Sequence, residues 1–175
     1  MFRAERSTST FKWKDLGDIG LGRPNLGPMT SVAIYRLMQY TLRDVLITKL
    51  GVRRADEVMY EAGRLAGTEF CRNVLNTSVE FDSFMADLRE KLLQLNVGIL
   101  RIEKADLEKM ELLMTVSEDL DCSGLPVSDE SVCTYDEGFI EGILHIYTGK
   151  NFDVKEIDCW ATGERTCRFR AVLKG

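Results

Sequence analysis

The sequence contains no apolar run long enough to span a bilayer, which argues against a membrane-embedded chain. Its first stretch, MFRAERSTSTFKWKD, lacks the apolar centre of a secretory signal, so the expected compartment is the cytoplasm. The basic residues are scattered and the formal net charge is −5, a balance that argues against nucleic acid or an anionic membrane as partner. There is no Ser/His/Asp set and no pair of acids in an evident cleft. The run GDIGLG precedes a proline-containing loop instead of opening a helix after a strand, so it is no nucleotide fingerprint. His145 is the single histidine. It lies four residues after Glu141 on a predicted helix, a spacing that suits an ordinary side-chain pair. Together these absences favour a binding module over an enzyme.

What is present is a soluble-type composition, 45% hydrophobic and 29% charged, on a chain long enough for one real core. Residues 1–29 read as an arm: GDIGLGRPNLGPM places four glycines and two prolines in thirteen residues, too many for a regular element. Phe11 and Trp13 are its aromatic anchors. Residues 30–175 read as a single domain. Thr30 or Ser31 can cap a first helix whose apolar positions Ile34, Leu37, Met38, Leu42, Val45 and Leu46 recur at three and four, with Gly51 as its stop. A second helix over 55–75 has a very small face, Gly63, Ala66 and Gly67, which implies a close neighbour. A third, with Ser78 or Asp82 as cap, carries Phe84, Leu88, Leu92 and Leu95 on one stripe.

The hydrophobic period then changes to two. Strands over 98–104 and 109–117 form a hairpin, a fourth helix follows and ends at Gly149, and a second hairpin turns around Gly163. The predicted fold class is therefore α+β, with an antiparallel sheet of about four strands covered by four helices.

Five cysteines remain to be explained. Cys71 sits alone in a helix and reads as core. In CWATGERTC, Cys159 and Cys167 are equidistant from Gly163, so a plain hairpin places them opposite each other. A cytoplasmic setting disfavours a disulfide, and the chain has no CxxC for redox chemistry. Two thiolates across a hairpin supply half of a tetrahedral metal site, with Cys133 as the next donor, Cys122 in reserve, and Glu156, Asp158 or Glu164 as a carboxylate. Spacing alone leaves metal and small buried side chains both open.

The runs CTYDEGFIEGIL and EIDCWATGERTCRF make the chain resemble the 4-vinyl-reductase-like, or hydrocarbon-binding, domain family, which includes the sensory domains of phenol-responsive bacterial activators. The aromatic-sensing members hold zinc with three cysteines and a glutamate, separated by twenty-two, two and seven residues. That pattern falls on Cys133, Glu156, Cys159 and Cys167. The resemblance implies a closed, structural zinc site of those four residues, and a fold shared with trafficking-complex subunits and haem-based nitric oxide sensors. Glu156 and Cys159 are three apart, so a regular strand would point them to opposite faces unless a bulge intervenes.

The resemblance also implies a small hydrophobic or aromatic ligand between helices and sheet. Candidate lining residues are Phe84, Met110, Leu112, Met114, Ile143, Tyr147 and Val154. Phenol sensors use a histidine and a tryptophan for the phenolic hydroxyl, and residues 80–116 contain neither. Signal output is expected through a partner or a homodimer, with the small-residue helix face and the aromatic arm as interface candidates. The alternative is an accessory protein or reductase of tetrapyrrole metabolism, although no hydride-donor site is evident.

Overall fold

The structure is a computed structural model that describes residues 8–175. The first seven residues of the expected arm lie outside the described residues. The chain divides into two units, Met1–Thr30 and Ser31–Gly175. In the first, Asp18 accepts from the Leu21 amide and caps the short α1, Ile19–Gly22. This single turn of helix forms where the glycine density had argued against any regular element, because the aspartate cap satisfies one of its free amides.

In the second unit Ser31, whose hydroxyl accepts from the Ala33 amide, starts α2, Val32–Leu50. Gly51, at φ 80°, separates it from α3, Val52–Val74. Helix α4, Phe81–Gln94, begins after Glu80, so neither Ser78 nor Asp82 caps it. It buries Phe84, Leu88 and Leu92 but leaves Leu95 exposed. Strands β1, Ile99–Asp106, and β2, Glu111–Ser117, form the first hairpin. Helix α5, Thr134–Thr148, ends at left-handed Gly149, and β3, Phe152–Asp158, and β4, Cys167–Leu173, complete the sheet. Its order is β1-β2-β4-β3, all neighbours antiparallel, giving the α+β architecture predicted.

Register explains the core. Met114 pairs with Phe169 and Leu112 with Ala171, which in turn opposes Val154. Their side chains, with Leu100 and Phe152, are buried. The alternate residues of the same strands carry ion pairs: Arg168 with Asp158 and Glu103, and Arg170 with Glu111. One face of the sheet is thus apolar and covered, the other charged.

The small face of α3 is filled from within. A Cβ at Gly63 would lie 2.0 Å from the Tyr135 carbonyl oxygen, and one at Gly67 2.0 Å from that of Phe139. Reciprocally, a Cβ at Gly138 would meet the Tyr60 oxygen at 2.0 Å and one at Gly142 the Arg64 oxygen at 2.3 Å. The two helices cross backbone on backbone, so this face is not open to a second subunit.

Helix α2 reverses the usual arrangement. Its periodic apolar residues Ile34, Leu37, Met38, Leu42 and Val45 are exposed, while Gln39 and Arg43 are buried. Its inward side carries polar groups because the loop after β2 presents polar backbone to it.

Candidate functional site

Four sulfur atoms converge where the second unit's loops meet its sheet. The Sγ atoms of Cys122, Cys133, Cys159 and Cys167 all lie within 4.8 Å of one another, and each residue is buried. Cys122 belongs to the loop after β2, and Cys133 immediately precedes α5. Cys159 follows β3, and Cys167 opens β4. The pairing Asp158↔Arg168 continues naturally to Cys159 opposite Cys167. Gly163, at φ 102°, turns the chain between them.

The separations suit a metal better than disulfides. All five cysteines are free. Cys133 Sγ stands 3.8 Å from Cys159 Sγ and 3.9 Å from Cys167 Sγ, whereas Cys122 and Cys167 are closer, at 3.0 Å. Four sulfurs bound tetrahedrally to zinc at about 2.3 Å would stand about 3.8 Å apart. Mutual hydrogen bonding sets the thiols against one another: bonds from Cys122, Cys133 and Cys167 lower Cys159, while contacts with Cys122, Cys159 and Cys167 raise Cys133. A buried set of soft donors at these distances fits zinc.

Glu156 is beside this cluster but outside the mutually close set. The β3–β4 register slips between Glu156 and Asp158, the irregularity that strand geometry required. Its Oε2 accepts from the Ser131 hydroxyl, its amide donates to Glu137 Oε1, and its Oε1 is buried without a hydrogen-bond partner. Burial pushes its carboxyl up to about 7, against the opposing pull of the Ser131 hydrogen bond.

Helix α2 holds the Cys122 loop from the other side. Arg36 donates from Nε to the Leu120 carbonyl and from Nη2 to those of Asp119 and Ser123. Tyr35 and Gln39 donate to the Asp121 carboxylate, and Tyr40 to the Asp121 carbonyl. Asp119 Oδ1 accepts the amides of Asp121, at 2.8 Å, and Cys122, at 3.1 Å, which orients the cysteine. Burial, then the neighbouring Asp121 charge, pushes the Asp119 carboxyl up to about 6. The same burial raises Asp136 well above the usual carboxylate range. This acidic surround was not anticipated from the sequence, where the run EDLDC was the available signal.

Next to the cluster is an apolar cavity of about 40 Å³ between α4, α5 and the sheet. Met85, Leu88, Leu92, Met114, Ile143 and Phe169 line it, and Asp119 and Asp136 stand among its lining residues. Of the predicted pocket residues, Met114 and Ile143 belong to it. Met110, Leu112 and Tyr147 instead line a separate surface depression with Phe81 and Phe152. Phe84 stacks on Tyr147 with ring centroids 3.9 Å apart, and Val154 is fully buried in the sheet core. His145 Nδ1 lies 3.2 Å from the Lys150 carbonyl, and Glu141 faces Arg64 at 3.8 Å.

All four clustered cysteines fall in the segment that carries the sequence likeness. Residues 112–173 match the vinyl-4-reductase domain. An uncharacterized protein of Methanocaldococcus jannaschii is 23% identical over 159 residues, covering 89% of this chain and 85% of its own length. The same fold is seen in solved structures. The phenol-responsive sensory domain of the transcription activator PoxR, solved with phenol, superposes with a TM-score of 0.68 at 15% identity, over 84% of this chain and 76% of that one. A vinyl-4-reductase family protein from M. jannaschii gives 0.62 at 17% identity, over 96% and 100%. The expected kinship of fold extends to a Naegleria fowleri trafficking protein particle complex subunit 3, at TM-score 0.56 and 14% identity over 82% and 97%, solved covalently bound to palmitic acid. An H-NOX protein from S. oneidensis has a TM-score of 0.50 at 12% identity, over 76% and 72%.

Proposed function

We propose that the protein is a metal-stapled, sensor-type binding module that takes a small hydrophobic or aromatic molecule into the cavity between α4, α5 and the sheet. The observation that carries this reading is the enclosed apolar cavity beside the four-cysteine cluster. The PoxR sensory domain, which has the same fold, was solved with phenol. The cavity is smaller than the roughly 150 Å³ void known to admit benzene. Met85 and Met114, unbranched and easily repacked, are the side chains that would yield to a ring.

Zinc is the proposed metal, held by Cys133, Cys159 and Cys167 with a fourth donor. Distance favours Cys122 in that place over the Glu156 expected from the family pattern. Such a site is closed and structural. It would tie the start of α5 and the loop after β2 to the last hairpin, and so hold one wall of the cavity in place.

Output is proposed to run through a homodimer formed on α2. Its polar side is committed to the Cys122 loop, which leaves Ile34, Leu37, Met38, Leu42 and Val45 without cover. A cytoplasmic location accords with a cluster of free thiols.

The test is native mass spectrometry of the purified chain, with elemental analysis. About one zinc per chain and a co-purified or titratable apolar ligand, displaced by Met114→Trp, would support the reading. A metal-free chain that binds no apolar probe would overturn it.

A further inference from the structure

The cavity is apolar except at one end, and that end has a single sign of charge. Asp119, only 4% exposed, and Asp136 are its two polar lining residues, and no lysine, arginine or histidine joins them among the described residues. Three buried or half-buried carboxylates gather there, but they are not equally satisfied. Asp121 accepts from Tyr35 and Gln39, and Asp119 Oδ1 from two backbone amides. Asp136 Oδ2 is buried and has no hydrogen-bond partner. The nearby guanidinium of Arg36 is committed to the backbone carbonyls of Asp119, Leu120 and Ser123. A buried, unmatched acceptor beside an apolar space calls for a donor that arrives with the occupant.

We infer that the occupant is a small apolar or aromatic amine, its protonated head seated against Asp136 and Asp119 and its body among Leu88, Met114, Ile143 and Phe169. This rests on the cavity being the ligand site. A carboxylate head would face like charge in a poorly solvated place. A hydroxyl would supply one donor and no charge. An ammonium supplies several donors and opposes the local negative potential, and charge-assisted hydrogen bonds are the stronger kind. The inference sets this chain apart from a site for fatty acids, and it does not need the histidine and tryptophan that residues 80–116 lack.

The experiment keeps the ring constant and changes the head. Toluene, benzyl alcohol, benzylamine and benzoate are titrated into the full, metal-loaded chain by calorimetry near neutral pH. Benzylamine should bind about tenfold or more tightly than toluene, benzyl alcohol in between, and benzoate weakest. Asp136→Asn should remove most of the benzylamine advantage and leave toluene within about twofold. Metal content is measured on each variant, and Asp119→Asn replaces Asp136→Asn if the latter loses its metal. Equal binding of toluene and benzylamine, or an Asn variant that weakens all probes alike, overturns the amine inference while leaving the cavity reading intact. Failure of all four probes to bind overturns both.

Discussion

The Sγ atoms of Cys133 and Cys159 lie 3.8 Å apart, joining the residue before α5 to the residue after β3. Cys167 and Cys122 complete the group, so three segments distant in the chain meet at four sulfurs. A metal there would replace weak thiol contacts by bonds and couple its affinity directly to folding. Chelation of the native protein is therefore expected to lower the melting temperature by about 10 °C or more, an outcome read by calorimetry with and without added zinc. No change on chelation would mean that the four thiols are only packed.

The identity of the fourth donor separates two substitutions. Cys122→Ser should lower zinc stoichiometry and stability together, as should Cys159→Ser. Glu156→Gln should keep about one zinc per chain, since its carboxylate stands outside the close set. Elemental analysis after dialysis against a weak chelator decides between them. Loss of metal in Glu156→Gln with retention in Cys122→Ser would restore the three-cysteine, one-glutamate set.

Glycines at the α3–α5 crossing should tolerate no side chain. Gly67→Ala removes a helix-destabilising residue but drives a methyl to within 2.0 Å of the Phe139 carbonyl oxygen. The clash involves backbone on both sides and outweighs the roughly 1 kcal/mol gained in helix propensity. A net loss of roughly 3 kcal/mol is expected, measurable by denaturant unfolding. Gly20→Ala, whose nearest neighbour is a side-chain atom at 3.5 Å, serves as the tolerant control.

The exposed stripe on α2 makes a prediction about assembly. Leu37 and Met38 are 62% and 58% exposed, so charge placed there costs the monomer's fold little. Leu37→Glu with Met38→Lys should convert a dimer into a monomer with unchanged helicity, by light scattering and circular dichroism. A wild-type chain that is already monomeric at high micromolar concentration would exclude the α2 dimer.

Cys71 offers a check on packing away from the metal. It is fully buried, and burial pushes its thiol from near 9 up to about 11. The folded state thus holds the proton over a range where the unfolded chain releases it, so this contribution to stability is present below about pH 9 and lost as pH rises towards 11. At pH 8 native Cys71 should resist alkylation that goes to completion in denaturant, as peptide mass mapping would show.

Much of this was legible in the residues. The change of period from four to two separates helices from strands because side-chain direction repeats with the backbone. Gly163 marks the turn that sets Cys159 opposite Cys167, and the three-residue step from Glu156 to Cys159 required the register slip found in β3. Local pattern did not reveal the fourth sulfur. Cys122 is in an irregular loop whose position depends on Arg36, more than eighty residues away.

The pocket was the least legible part. Phe84, Leu112, Tyr147 and Val154 are apolar residues on the correct faces, yet packing closes around them and leaves the space beside Met114 and Ile143. Voids are what remains after every side chain has found its neighbours, so they are a property of the whole core.

The sequence by itself determined which residues share a face: the sulfurs of the last hairpin, the glycines of α3, the apolar stripe of α2. Tertiary structure decided which of those faces are covered. The α3 glycines meet those of α5, while the α2 stripe is turned outward because the opposite side of that helix satisfies the carbonyls and carboxylate of the 119–123 loop. Unmet buried polar groups cost more than exposed apolar ones, and their partners are far away in the chain. Periodicity within one helix carries no record of them.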